Sequence, residues 1–372
     1  MLRISIFTIF VINIMLHMLS FQAYAEPDIR ILIDRNKNPA TISAEAGEIT
    51  FKGSSGFLKS FTSANISISK GKLAINGVST NETTLEITSK GDFIKYKNAI
   101  YHAPFNLMID KGKVLIINPM GMEQYLIGIV GSELPSKWPL VAAKAQAVAS
   151  RTYAMRQKMA RKDREPFDVV ATVHDQVYHG AQKQNAVAKK AVISTRGEIL
   201  LKDGKIFHAY FHSCCGGKTE KASNVWSRSD DFKTVTDPYC KKYAKFSWNY
   251  KVPKRSIAEV LSKNGYPIGD NFEISTTGFE NSPRNDKLMF VDDHNMQLIG
   301  ANKLRELLGY QNLRSTWFEL EESKTDVSFS GRGSGHGVGM CQWGAKGMAE
   351  AGKKYKEILD FYYNGTKVVK FY

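Results

Sequence analysis

The sequence is short of cysteine and of acidic residues, and after its first 25 residues it has no long hydrophobic run. Only 4 of its 372 residues are cysteine, which excludes the disulfide-dense scaffolds of small secreted domains. No stretch beyond residue 25 approaches the roughly 20 apolar residues of a membrane-spanning helix. The glycine-rich segment 331–339 lacks both a closing G-K-[ST] and the spacing of a dinucleotide fingerprint. It therefore predicts no nucleotide site.

The one long apolar stretch lies at the N-terminus. Arg3 is the single charge among the first 25 residues, Ile4 to Leu16 is predominantly apolar, and Ala23-Tyr24-Ala25 forms a small-x-small cleavage site. This order is typical of a secretory signal peptide that is removed after Ala25. The mature chain is therefore predicted to be exported, periplasmic or cell-wall associated, without a membrane span. Retention as an N-terminal anchor is less favoured, because two polar residues interrupt the apolar run.

The scarcity of acidic residues leaves a strongly basic chain. Its formal net charge is +15, or +14 once Arg3 is removed with the signal. A basic exported protein usually meets an anionic polymer or surface. Nucleic acid is the generic partner for such a charge, but export argues against it. Cell-wall glycan with acidic stem peptides, or lipid headgroups, fits the compartment better.

The mature chain is predicted to be α+β, with an N-terminal β-rich lobe. A length of 372 residues suits two domains or lobes. Residues 26–105 alternate β-branched runs with glycines and carry no recognisable chemistry, which indicates a β-rich accessory lobe. Residues 106–372 mix strands and helices without repeated β-α-β units, which argues against a doubly wound sheet. Helices are expected over residues 122–133 and 140–158, and a strand over 206–212. A hairpin is expected with Asp203-Gly204 at its turn.

One acidic residue of the second region stands at a defined corner. Glu133 ends the first of these helices, because Pro135 disfavours helical backbone in the residue before it. Pro139 suits the first turn of the next helix, so Glu133 is held between two helices. Apolar neighbours would raise the pKa of its carboxyl, whereas Lys144 or Arg151, if close, would lower it. The sequence leaves that balance open.

Three segments occur in a specific order along the chain. They are ELPSKWPLVAAKAQAVASRTY at 133–153, YFHSCCGGKTE at 210–220 and GRGSGHGVGMCQWGAKGMAEAG at 331–352. Together with DQVYHG at 175–180 and LRELLGYQNLRSTWF at 304–318, they resemble the SpoIID/LytB family of bacterial peptidoglycan proteins. The resemblance covers residues 106–372, and several motifs in order are far more specific than any one of them.

The resemblance implies a SpoIID-like catalytic domain over residues 106–372 that acts as a peptidoglycan lytic transglycosylase, with Glu133 as the catalytic acid/base. Most glycosidases need two carboxylates. A transglycosylase needs one, because the C6 hydroxyl of MurNAc itself attacks the anomeric carbon and gives a 1,6-anhydro product. The implied substrate is glycan stripped of stem peptides and cut between MurNAc and GlcNAc. LytB-like members imply the alternative, a non-catalytic wall-binding enhancer of an N-acetylmuramoyl-L-alanine amidase.

Substrate contacts are expected around Glu133. His336 lies among the glycines of segment 331–339 and is expected to contact the glycan. Trp343 suits stacking on a sugar ring. Ser213 beside His212 does not predict a catalytic dyad, since adjacent residues on a strand point to opposite faces. The side chains expected to contact the glycan are Lys144, Arg151, Gln176, Tyr178, His212, Ser213, Lys218, His336, Gln342 and Trp343.

The cysteines leave three alternatives open. The family often has cysteine at the positions of Cys215 and Cys240, and some members bind zinc near there. A Cys215–Cys240 disulfide, a zinc site and free thiols all fit this resemblance. His208 and His212 would lie roughly 13 Å apart on a strand, so at most one histidine, His208 in this interpretation, would join the two cysteines. Cys341 departs from the family and is expected to be a small buried side chain. No other cofactor is expected, and a zinc hydrolase is not favoured because no open three-ligand site is visible.

Overall fold

The computed structural model describes residues 25–37, 39–226 and 233–372. The predicted signal peptide, apart from Ala25, lies outside the described residues. The helices are α1 Met122–Glu133, α2 Leu140–Arg161, α3 Ala186–Ser194, α4 Lys254–Lys263, α5 Ala301–Leu308, α6 Gln342–Glu350 and α7 Tyr355–Tyr362. The strands are β1 Asp28–Asn36, β2 Ala40–Ala44, β3 Ile49–Lys52, β4 Leu58–Phe61, β5 Ser63–Ser69, β6 Lys72–Ile75, β7 Val78–Ser79, β8 Thr84–Ser89, β9 Phe93–Tyr96, β10 Ala99–His102, β11 Phe105–Asp110, β12 Lys113–Gly121, β13 Val169–Val170, β14 Glu198–Lys202, β15 Lys205–Ile206, β16 Phe211–His212, β17 Ser247–Pro253, β18 Glu273–Gly278, β19 Asn285–Val291, β20 Met296–Gly300, β21 Phe318–Glu322, β22 Asp326–Arg332, β23 Met340–Cys341 and β24 Lys367–Lys370.

The N-terminal region is built from two sheets. One has seven strands in the order β13-β1-β12-β11-β8-β3-β4, and the other has six in the order β10-β9-β2-β5-β6-β7. Side chains from both sheets, such as Ile42 and Ile66 of the smaller and Phe51 and Ile87 of the larger, are fully buried in one core. The predicted β-rich N-terminal region and the α+β class are confirmed. The larger sheet combines strands from both sides of residue 105, so the domain boundary there stays a prediction.

Among the described residues, four pairs of strands are connected by two-residue hairpins with positive φ at both turn positions. The turn residues are Lys70-Gly71, Asn76-Gly77, Lys111-Gly112 and Asp203-Gly204. Positive φ at both positions is the type I′ geometry, which matches the right-handed twist of the flanking strands. The hairpin that the sequence predicted at Asp203-Gly204 is therefore confirmed.

The first two helices place Glu133 at a corner. Strand β12 runs directly into α1, whose buried face joins the core of the two sheets. Helix α1 ends at Glu133 as predicted, because Leu134 precedes Pro135 and is extended, with φ −121° and ψ 136°. Helix α2 begins after Pro139 and continues to Arg161, beyond the predicted end at residue 158. Its many buried alanines allow close contact with α1, α3, α6 and α7.

Two further cores lie in the C-terminal half. One is enclosed by α2, α6 and α7 and contains all four cysteines. The other joins α4 and α5 to the three-stranded sheets β17-β22-β21 and β18-β19-β20. Within the described ranges, no helix has both the length and the apolar composition needed to cross a membrane.

Two predictions of local structure were wrong or missing. The strand predicted over residues 206–212 is two short strands, because β15 pairs antiparallel with β14 whereas β16 pairs in parallel with β23. Helix α6 was not predicted, since its glycines weaken the helical signal. Gly344 is required by packing, because a Cβ there would clash with the Tyr362 hydroxyl and the Asp237 carboxylate.

Candidate active site around Glu133

Glu133 lies where three segments meet. It is the last residue of α1, and the residue as a whole is half-buried. The side-chain amide of Gln342, the first residue of α6, donates a hydrogen bond of 2.9 Å to Glu133 Oε2. The backbone N–H of Val177 also bonds to the carboxyl. Residues far apart in sequence therefore hold one carboxyl in a single orientation.

The surroundings of Glu133 favour its protonated form. Burial raises the pKa of the Glu133 carboxyl, and the hydrogen bonds from Gln342 and Val177 offset only part of that rise. Neither Lys144 nor Arg151 contributes to the shift. The balance that the sequence left open thus favours a carboxylic acid able to donate a proton.

A chain of amides extends from Glu133 into helix α2. Gln342 Nε2 lies 3.4 Å from Gln146 Oε1, and Gln146 Nε2 donates to Ser150 Oγ at 3.0 Å. Gln146 and Ser150 are fully buried. These neutral partners orient Gln342 without placing a charge beside the acid. Sequence reasoning did not single out this role for Gln146, although Gln146 and Ser150 are polar residues at i, i+4 on a helix of small apolar residues.

An aromatic platform adjoins this hydrogen-bond network. Trp343 follows Gln342, and its ring centroid is 4.7 Å from those of both Trp138 and Tyr243. The ammonium of Lys346 lies 4.4 Å from the Tyr243 ring and 5.3 Å from the Trp343 ring. Glu350 accepts from Lys346 at 2.8 Å. Trp343, Tyr243 and Lys346 are partly exposed, so the platform offers apolar ring faces with a cation at their edge.

Two of the expected cationic contacts lie elsewhere. Arg151 has no exposed surface and forms a bidentate ion pair with Glu123, at 2.9 and 2.7 Å. Tyr372 and the backbone of Gly197 also donate to Glu123. Lys144 lies 5.8 Å from the ring of Tyr355 on α7. Glu123 therefore connects Tyr372 to Arg151 of α2, and the direct sugar contact expected of Arg151 is not supported by its burial.

Gln176 and Tyr178 share one side of their segment, as expected, but that side faces inward. Gln176 accepts from the Tyr125 hydroxyl at 3.2 Å. Tyr178 packs so closely on Gly128 that a Cβ there would clash with its ring. Both are at most 2% exposed. They act through packing beneath the site rather than through the groove contact that the sequence suggested.

The surroundings of His336, in the glycine-rich segment, and of His212, on β16, favour the neutral form of each imidazole. His336 Nδ1 accepts from the Val338 N–H at 3.1 Å, so Nε2 donates to the Phe211 carbonyl at 3.0 Å. Burial lowers the pKa of His336 to about 3 and that of His212 well below its ordinary value. His212 Nδ1 bonds to the Val338 carbonyl at 3.0 Å. Both ring nitrogens of His336 are therefore bonded to the backbone; the residue is half-buried, and its expected contact with the glycan stays a prediction.

Ser213 and Lys218 lie on the loop that follows β16. The backbone carbonyl of Ser213 accepts from Trp343 N–H at 3.1 Å, which ties the loop to α6. Lys218 Nζ donates to the carbonyl of Asn281 at 3.0 Å. Both side chains are partly exposed, so their expected contacts with the glycan stay predictions.

The structure shows no disulfide among the four cysteines. All four are free, and Cys215 Sγ lies 3.5 Å from Cys240 Sγ. His208 does not join them, because its ring stacks on Tyr210 with a centroid separation of 4.3 Å. Cys341 is fully buried as expected, and it also caps α6 by accepting from Gly344 N–H at 3.2 Å.

Comparison with known proteins agrees with the motifs. The family model described as SpoIID, stage II sporulation protein, matches residues 110–201, which include Glu133. Stage II sporulation protein D of Bacillus subtilis is 30% identical over 263 residues, covering 66% of this chain and 74% of that protein. The chain belongs to the SpoIID/LytB family.

Two further relatives match most of this chain. An uncharacterized protein of Brachyspira hyodysenteriae is 32% identical over 362 residues, 95% of this chain and 96% of that protein. The amidase enhancer of Bacillus subtilis is 27% identical and matches 82% of this chain, which spans only 50% of the length of that relative. This SpoIID/LytB chain is thus similar to proteins of both branches.

Proposed function

We propose that the chain is an extracytoplasmic peptidoglycan lytic transglycosylase with Glu133 as its general acid/base. The observation that carries the proposal is the environment of Glu133. The carboxyl of this half-buried residue has its pKa raised by burial and is oriented by a neutral side-chain amide and a backbone N–H. That is the state that protonation of a glycosidic oxygen requires.

The reaction needs only one protein acid/base. Protonated Glu133 would donate its proton to the oxygen that leaves with GlcNAc as the bond from MurNAc C1 breaks. The C6 hydroxyl of the same MurNAc would then form the new bond to C1 and return its proton to Glu133. No water is consumed, and the product carries a 1,6-anhydro end. Gln342 would hold Glu133 in place while its charge changes.

A product assay tests this proposal. The mature protein is incubated with peptide-stripped glycan and, separately, with glycan that carries stem peptides. Mass spectrometry is expected to find 1,6-anhydro-MurNAc ends, with the stripped glycan cut faster. Reducing ends instead would mean that water attacks, and would contradict the transglycosylase mechanism.

The pH dependence follows from the raised pKa of Glu133. The acid must be protonated to act, so kcat/KM is expected to fall as pH rises through that pKa, which lies above the ordinary value near 4.5. Gln342→Leu removes a donor to the carboxylate and should raise the pKa further, moving this alkaline limb to higher pH. Gln311→Leu, at an exposed loop position, should leave the limb in place. A limb that moves to lower pH in Gln342→Leu would contradict the assignment.

Trp343 is proposed to stack on a sugar ring next to the scissile bond. Trp343→Ala is expected to raise KM roughly threefold to tenfold, because ring contacts contribute about 0.5–1.5 kcal/mol beyond burial, while Trp343→Phe should retain most of the affinity. The measurement is KM for glycan of defined length. Equal KM values for the wild type and Trp343→Ala would remove the platform from the proposed binding surface.

The similarity to an amidase enhancer favours one second candidate function. In that case the chain would bind the wall and stimulate an N-acetylmuramoyl-L-alanine amidase without cutting glycan. The assay adds the protein, or its Glu133→Gln variant, to a purified wall amidase acting on intact peptidoglycan. Stimulation that survives in the variant, without anhydro ends from either protein, would favour this candidate over the enzyme.

A further inference from the structure

Three cysteines and one aspartate from separate segments converge next to α6. One ligand atom from each side chain, namely the sulfurs of Cys215, Cys240 and Cys341 and a carboxylate oxygen of Asp237, lies within 4.8 Å of all the others. All four residues are at most 1% exposed. Cys215 Sγ is 3.5 Å from Cys240 Sγ and 3.2 Å from Asp237 Oδ2. The proposed reaction at Glu133 uses none of these groups.

We propose that these four side chains bind one structural zinc ion. Zinc holds thiolate sulfur at about 2.3 Å in tetrahedral geometry, so two bound sulfurs lie about 3.8 Å apart. The 3.5 Å between Cys215 and Cys240 is close to that edge. Thiolates select zinc over magnesium or calcium, and four protein ligands leave no open position for catalysis. Each coordinating thiol releases its proton to solvent when the ion binds.

Backbone donors already point at the sulfurs. The N–H groups of Cys215 and Gly344 both donate to Cys341 Sγ at 3.2 Å, and Gly217 N–H donates to Cys215 Sγ at 3.4 Å. Cys341 also precedes the first residue of α6, where the helix dipole favours a negative charge. Such donors orient metal ligands and stabilise thiolates. These three N–H groups are therefore positioned to stabilise negatively charged sulfur.

A buried guanidinium lies beside this cluster and contacts its backbone. Arg284 is 1% exposed, and its Nη2 donates to the Cys215 carbonyl at 2.8 Å. Its Nε and Nη1 have no hydrogen-bond partner among the described residues, and Glu220 lies 3.8 Å away. Three thiolates and one carboxylate exceed the charge of a zinc ion by two. The cationic Arg284, which also faces the buried Glu220, would lie next to that excess without coordinating the ion.

A Cys215–Cys240 disulfide accounts for less of this geometry. It would use two sulfurs and leave the Cys341 thiol unbridged, with the Asp237 carboxylate held by the Tyr362 hydroxyl at 2.9 Å and the Tyr239 N–H at 2.8 Å. A zinc ion engages all four groups. It would also connect the loop after β16, the turn at Asp237–Cys240 and the start of α6. Because α6 begins with Gln342, the ion would stabilise the segment that orients Glu133.

Metal content tests the proposal directly, and the readout does not depend on glycan cleavage. The mature chain is purified without chelator and without a metal-affinity step. Mass spectrometry of the elements is expected to find about one zinc per chain. Alkylation of the denatured, unreduced protein should modify all four cysteines. Cobalt that replaces zinc should show thiolate-to-cobalt charge-transfer absorption.

Matched variants test the ligand set. Cys240→Ser, Cys341→Ser and Asp237→Asn are each expected to lower zinc content at least about tenfold, whereas Cys214→Ser should retain it. If a ligand variant does not fold, zinc content and the cobalt spectrum of the wild type still decide. A wild type that holds no zinc after reconstitution, or that loses two thiols to a disulfide, would overturn the proposal. If Asp237→Asn keeps its zinc and Cys214→Ser loses it, the fourth ligand is Cys214, and the assignment of Asp237 is overturned.

Discussion

Replacing Glu133 with glutamine is expected to lower the rate of anhydro-product formation by about a hundredfold to ten-thousandfold, the range that general acid catalysis contributes. Glutamine keeps the shape of the side chain and can still bond to Gln342, but it cannot donate a proton to the leaving oxygen. The measurement is the initial rate on peptide-stripped glycan. Glu165→Gln, an exposed position on the loop after α2, is the matched control and should retain wild-type activity.

The same substitution should not weaken the fold. A carboxyl whose folded pKa is raised stabilises the protein at low pH, and this contribution is lost as pH rises through the folded pKa. Above that pKa, wild-type Glu133 carries a partly buried charge that glutamine lacks. Glu133→Gln is therefore expected to be at least as stable as the wild type at neutral and alkaline pH, by thermal unfolding. An inactive variant that is also unfolded would not support a catalytic role.

The largest expected effect on stability belongs to Arg151. Arg151→Ala leaves Glu123 buried without its bidentate partner, which typically costs about 3–5 kcal/mol. The free energy of unfolding should fall by that amount in denaturant titration. Where the variant remains folded, its KM for glycan should be unchanged, because Arg151 has no exposed surface.

Two controls separate this buried pair from ordinary surface charge. Arg255→Ala removes an exposed pair with Glu259 and is expected to cost less than about 1 kcal/mol. The double change Glu123→Leu with Arg151→Met should be less destabilising than Arg151→Ala, since no unpaired charge remains. A stable Arg151→Ala variant with a raised KM for glycan would instead support the sugar contact that the sequence suggested for Arg151.

The parts of this structure that could be predicted from sequence are those with local signals. The corner at Glu133 follows from Pro135, whose effect on the preceding residue ends α1. The hairpin at Asp203-Gly204 follows from its turn residues. The family motifs likewise identified Glu133 and Gln342, which the structure brings into contact.

The remainder depends on contacts between distant segments. The strand expected at 206–212 breaks because its two ends pair with different partners. Arg151 and Tyr178 have polar groups that suit a sugar, yet their partners Glu123 and Met120 bury them. Cys215 and Cys341 are 126 residues apart, and no spacing rule joins Asp237 to them. The type of a polar residue does not show whether its side chain lines a groove or is buried with its hydrogen bonds made inside the protein.

The most direct test of the proposed reaction is to cleave peptide-stripped glycan in water enriched in oxygen-18. Intramolecular attack by the C6 hydroxyl consumes no water, so the new MurNAc ends should be 1,6-anhydro and carry no label. Glu133→Gln should release neither type of end. Labelled reducing ends from the wild type would show that water is the nucleophile and would contradict the account.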